Sequence, residues 1–245
     1  MTDLTTDPAA LVTGAADAHG EHVIARKTVY VYEAPVRIWH WVNALCILVL
    51  AVTGYFIGSP PPSVPGEASA NFLMGYIRFT HFAAGQILAV GFLMRIYWAF
   101  AGNSHAHQIF VLPVWSGRFW KEVVHEIRWY LFLAQKPKKY VGHNPLAQMA
   151  MFFMFTLAII FMIVTGFALY AEGQGIESWQ YKLFGWVFLL FPSQTVHTLH
   201  HLGMWVLVIF AMVHIYAAVR EDIMSRQSII STMISGERQF KDEEP

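Results

Sequence analysis

The stretch Gln194–Ala218, QTVHTLHHLGMWVLVIFAMVHIYAA, decides the fold. It is long and apolar enough to cross a bilayer, yet it carries histidines near both ends, and an ionisable group inside a membrane is costly without a partner or a function. His200 and His214 are 14 residues apart. In a helix that separation is about 40° short of four full turns, so both imidazoles lie on one face, about 21 Å apart along the axis. A helix of this kind suits two metal centres stacked across a membrane, if other helices bring ligands to the same depths.

The composition agrees with a membrane location. The 245 residues are 56% hydrophobic and only 13% charged, with 16 basic and 16 acidic side chains and a mean hydropathy of +0.44. No nucleic-acid partner is expected of such a chain. The single cysteine, Cys46, excludes an internal disulfide and a cysteine-ligated iron–sulfur cluster within the chain. There is no C-x-x-C-H motif, so any haem would be held without thioether links. Residues 1–28 read as a polar tail without a cleavable signal, and the first membrane helix is expected to serve as an uncleaved insertion signal.

Four apolar runs can span: about 38–58, 76–101, 147–170 and 194–218, each near or above about twenty residues. The lead-in Val29–Val36 is expected to be interrupted by Pro35 before the first of them. Backbone in lipid must be satisfied within helices, so the fold class is an all-α membrane protein, a four-helix bundle over 29–220 followed by a C-terminal tail, 221–245. Loop 59–75 has no Lys or Arg and loop 171–193 has only Lys182, whereas loop 102–146 holds Arg118, Lys121, Arg128, Lys136, Lys138 and Lys139. By the positive-inside rule both termini and the long middle loop are expected in the cytoplasm, with the chain in a bacterial inner membrane. Within that loop Trp120, Val123, Val124, Ile127 and Leu131 fall at helical spacing, which predicts an amphipathic helix on the cytoplasmic leaflet.

With this orientation His40 lies near the cytoplasmic end of the first helix and His81 near the outer end of the second. His40 therefore matches His214 in depth, and His81 matches His200. Two imidazoles facing each other at one depth fill both axial positions of a six-coordinate haem, the arrangement for one-electron transfer. Zinc would want four ligands at each depth. Interhelical hydrogen bonding by four unrelated histidines is the plainer alternative, and a histidine-lined proton or metal transporter is another. On the fourth helix His201 faces nearly opposite to His214, while His197 stays open as a replacement for His200. Arg78 and Arg95 bracket the second helix, where they could neutralise haem propionates or reach for lipid headgroups.

The motifs EAPVRIWHW, VTGYFIG, MGYIRFTHF, MRIYWAF, EIRWYLFLA, GHNPLAQ, VTGFALY, HHLGMW and VREDIMS, ordered from about Tyr30 to Gly236, resemble the b-type cytochrome subunit of membrane-bound nickel–iron uptake hydrogenases. The similarity extends more distantly to the cytochrome b subunit of formate dehydrogenases. The resemblance implies two haems b, with ligands at the positions of His40, His81, His200 and His214. It implies as partners a hydrogenase small subunit and, through it, the nickel–iron large subunit. Electrons from hydrogen oxidation would then cross from the outer to the inner haem and reduce a quinone. By the same resemblance the quinone would sit near the inner haem and the start of the third helix, where Asn144 and Gln148 could bond a carbonyl and His143 could assist proton uptake; a helix cap by Asn144–Pro145 is the alternative. Service to another periplasmic oxidoreductase, such as formate dehydrogenase, is the other reading of the same module.

Overall fold

The computed structural model describes residues 28–240, apart from 63, 64, 68 and 69; the tail expected over 1–28 lies almost wholly outside the described residues. A short strand β1 (Thr28–Tyr30) precedes helix α1 (Ala34–Gly58). Pro35 sits in the first turn of α1 and begins the helix rather than interrupting the approach to it, because its missing N–H is one the first turn leaves unpaired in any case. Helix α2 (Leu73–Ala101) returns, and α3 (Gly117–Tyr130) lies in the long connection. Helix α4 (Pro145–Gln174) and helix α7 (Ser193–Met224) complete the bundle. Two short helices, α5 (Trp179–Phe184) and α6 (Val187–Leu190), join α4 to α7.

Among the described residues these four long helices are apolar and long enough to span, and only 11–28% of each apolar window is buried within the chain. The remaining apolar surface is left for lipid, as in an integral membrane protein. The central core is formed by Cys46, Leu88, Phe92, Phe155, Ile159, Leu207 and Phe210. One turn of α4, Met151–Thr156, is π-helical; Phe155 in it packs against Trp39 and Phe210.

The segment after α7, expected as a tail, is folded up to residue 240. Helix α8 (Ile229–Ser235) leads to strand β2 (Glu237–Gln239), which pairs antiparallel with β1 in the register Val29 opposite Arg238. The end of the bundle that carries this pair is the proximal end; α3 lies there too. Glu33 fastens the start of α1 to the end of α2 by accepting from Trp98 Nε1 at 3.0 Å and from the Asn103 N–H at 2.9 Å.

Candidate functional site

The bundle brings the four histidines together in two pairs. At the proximal end His40 of α1 faces His214 of α7 with ring centroids 6.3 Å apart; at the distal end His81 of α2 faces His200 of α7 at 6.5 Å. His197 is exposed and binds back to the Ser193 carbonyl at 3.1 Å. His201 accepts from Trp205 Nε1. Of the three neighbouring histidines on α7, His200 is therefore the one opposite His81.

The distal pair is held by two threonines. Thr53 Oγ1 donates to the Val49 carbonyl at 2.6 Å and lies 2.9 Å from His81 Nδ1. Thr165 Oγ1 donates to the Phe161 carbonyl at 2.7 Å and lies 2.8 Å from His200 Nδ1. Each hydroxyl has one proton and has committed it to the carbonyl a turn earlier, so its oxygen can only accept from Nδ1–H. That fixes the tautomer and leaves Nε2 with a free lone pair, the state a metal-binding imidazole needs. The glycine after each threonine completes the seat. A methyl on Gly54 would come within 3.2 Å of His81 Cε1, and one on Gly166 within 3.1 Å of His200 Cε1.

These threonines were not among the expected site residues. Their one trace in the sequence is the triplet V-T-G at 52–54 and 164–166, once in each helix that precedes a distal histidine, but the same triplet also stands at 12–14, so it does not single them out. The proximal pair is seated differently. His40 Nδ1 is buried without a hydrogen-bond partner, and the Phe210 ring stacks on His214 with centroids 5.6 Å apart.

Arg78 is exposed, whereas Arg95 is 3% exposed. The Arg95 guanidinium lies over the Trp39 and Phe110 rings and donates to the Ala106 carbonyl, while its Nε and Nη1 have no partner. Asn144 caps α4, accepting from the Ala147 N–H at 2.6 Å. Gln148 lines a proximal cavity of about 260 Å³ with Phe119, Tyr140, His143 and Pro145. His143 Nδ1 is 3.2 Å from both the Tyr32 hydroxyl and Gln108 Oε1. Burial, then the nearby Arg238 charge, lowers its pKa to about 3, so this imidazole is neutral at physiological pH and holds no extra proton to give.

Residues 31–236 match the pattern of the prokaryotic cytochrome b561 family. The chain belongs to that family. Its similarity to known proteins is high and nearly end to end. It is 73% identical, over 95% of its length and 98% of the relative's, to a "Probable Ni/Fe-hydrogenase B-type cytochrome subunit" of Rhizobium leguminosarum bv. viciae. A protein of the same name from Azotobacter vinelandii is 64% identical over 92% of this chain and 95% of its own. The "Probable Ni/Fe-hydrogenase 1 B-type cytochrome subunit" of Escherichia coli K12 is 52% identical over 86% of this chain and 91% of its own.

A cytochrome b561 family member implies b-type haem, and the donor set fits it. Two metal–imidazole bonds of about 2 Å, with half a ring on either side, span about 6 Å, close to both centroid separations. Among the described residues no three His, Cys, Asp or Glu side chains converge as a tetrahedral metal site would require. The orphaned N–H groups of Arg95 suit an anionic carboxylate such as a haem propionate. An apolar recess of about 320 Å³ between α1 and α7, lined by Tyr55, Phe56, Met204 and Trp205 among others, lies beside the distal pair.

Proposed function

We propose that this chain is the dihaem membrane subunit of a nickel–iron hydrogenase, anchoring the enzyme and carrying electrons from hydrogen oxidation to quinone. The observation that carries the reading is the pair of opposed imidazoles at each of two depths; relatives at 52–73% identity, named as subunits of Ni/Fe-hydrogenases, suggest the partner. His81 and His200 would hold the distal haem, and His40 and His214 the proximal one. Haem held by these histidines would supply one-electron transfer with little rearrangement.

The chain's own residues do the rest. Thr53 and Thr165 hold the distal imidazoles in the ligating tautomer, Phe210 orients His214 by stacking, and Arg95 offers its free N–H groups to a propionate. The basic proximal end is the cytoplasmic one by the positive-inside rule, and the distal end, with its short loops and exposed Trp179, Trp186 and Leu189, faces the periplasm and meets the hydrogenase small subunit. Quinone would enter the proximal cavity lined by His143 and Gln148, with Asn144 at the adjoining start of α4.

The test is a pyridine haemochrome assay per polypeptide on the purified full-length chain, with metal analysis of the complex it brings along. Two haems b per chain and co-purifying nickel are expected. Molybdenum or tungsten in place of nickel would assign the module to another dehydrogenase, and a haem-free chain after expression with adequate haem would overturn the reading.

A further inference from the structure

Resting on the two-haem reading above, we propose that Thr53 and Thr165 set the distal haem at a lower reduction potential than the proximal one, so that electron transfer from the distal to the proximal site runs downhill. Both distal ligands give their Nδ1–H to a threonine oxygen, and each threonine O–H is already spent on a backbone carbonyl at 2.6–2.7 Å. Such a chain of hydrogen bonds polarises along its length. It pulls the Nδ1 proton outward and makes Nε2 the more basic donor, which stabilises the oxidised metal.

The proximal pair lacks this device. His40 Nδ1 has no partner, and the buried oxygen of Asn43, three residues along α1, is also unpartnered without closing on it. Charge acts in the same sense. The buried charged side chains among the described residues are Arg95, Glu126, Arg220, Glu221 and Arg238, and all belong to the proximal half. Arg220 is paired with Glu221 at 2.8 Å, and burial holds Glu126 toward its neutral form. Arg95, over the ring next to His40, has no carboxylate of this chain paired with it, and Arg238 lies at the same end with Asp222 offsetting part of its charge. A cation favours the state that has gained an electron, and it does so most strongly where water is excluded. Ligand basicity lowers the distal potential and buried cations raise the proximal one, so the two effects add.

The experiment is a redox titration of the full-length, haem-loaded chain, followed optically and by electron paramagnetic resonance. The haem count comes first, since fewer than two per chain defeats the two-haem reading and not this inference. With two present, His81→Ala, or His200→Ala as a second route, should abolish the lower-potential component. Thr53→Val and Thr165→Val should each raise that component's midpoint, shifting its reduction equilibrium by up to about tenfold, about 59 mV for one electron, while the upper component stays in place. Thr53→Ser and Thr165→Ser, which keep the hydroxyl, should titrate as wild type. The inference is overturned if the lower component survives loss of the distal ligands, or if the valine variants hold distal haem at an unchanged midpoint. If both valine variants lose distal haem, Thr53→Cys and Thr165→Cys, whose thiols are weaker acceptors, take their place, and an unchanged lower midpoint in them overturns the inference.

Discussion

A methyl group added at Gly166 would stand 3.1 Å from Cε1 of His200, and one at Gly54 3.2 Å from Cε1 of His81. Replacing a helical glycine by alanine gains at most about 1 kcal/mol of helix stability, whereas overpacking of this kind costs about 1–3 kcal/mol. The imidazole has to yield by a few tenths of an ångström, and the threonine hydrogen bond yields with it. Gly166→Ala and Gly54→Ala are therefore expected to weaken haem retention at the distal pair about 10- to 100-fold, with the proximal haem kept. Haem content after dilution or apomyoglobin challenge measures this. Gly91→Ala, where the nearest atom is a Trp39 carbon at an ordinary 3.6 Å, should behave as wild type. The histidines were legible in the sequence because an ionisable residue in an apolar run is rare and its depth can be counted. The threonines were not, since a threonine in a membrane helix ordinarily satisfies itself on the carbonyl a turn back; only the packing of neighbouring helices reveals that the second lone pair is used.

At the scale of elements, α3 shows where pattern reading runs out. Its apolar residues Trp120, Val124 and Ile127, and Leu131 just after it, are exposed, which suits a face toward lipid headgroups, whereas Phe119, Val123, Glu126 and Trp129 are buried against the protein. The helix was legible from its spacing; its carboxylate-bearing inner face was not, because that face is defined by the end of α7. There Trp129 donates to Glu221 at 2.8 Å, and Arg220 donates to the Trp129 carbonyl while lying over the Trp129 and Tyr130 rings. Glu126 is 2% exposed, and the Tyr140 hydroxyl beside it closes no full hydrogen bond with it. Desolvation is the largest influence on its pKa. The Tyr140 contact and Lys138 act against it, Glu221 and Glu122 add to it, and together they raise the pKa to about 7. A carboxyl whose folded pKa is raised contributes stability that is complete below its ordinary pKa and is lost as pH rises through about 7. The docking of α3 is therefore expected to loosen as pH rises from about 5 to about 7, by on the order of 1–2 kcal/mol after solvent screening. Hydrogen exchange along residues 117–130 would show it, and Glu126→Gln should remove the difference between the two pH values.

For the whole molecule, the proximal site is closed by the two ends of the described chain, a pairing across roughly two hundred residues that no local pattern announces. Residues 221–245 therefore read as a tail, although α8 and β2 pack Met233 against Val31, Tyr32 and Val36. The Met233 carbonyl accepts from Trp41 Nε1 at 3.0 Å, and Arg37 donates to the Ile234 carbonyl, on either side of His40. Arg238 donates to the carbonyls of Tyr140 and Gly142 at 2.8 and 2.9 Å, which holds the loop leading to His143 and Asn144. The distal pair has no contact with this clasp and lies about 20 Å away along α7. A chain ending after Ser225 is thus expected to keep its distal haem and lose most of the proximal one, falling from two haems per chain toward one, with the higher-potential component missing from the redox titration. Equal loss of both would mean that the clasp supports the bundle as a whole and not the proximal site in particular. Gly236→Ala gives the graded version. Gly236 has φ +88°, and an added methyl would meet the Tyr32 carbonyl oxygen at 2.6 Å, so strain of about 1–3 kcal/mol falls on the clasp alone. Proximal haem occupancy in that variant should lie between wild type and the truncated chain, and the distal occupancy should not change.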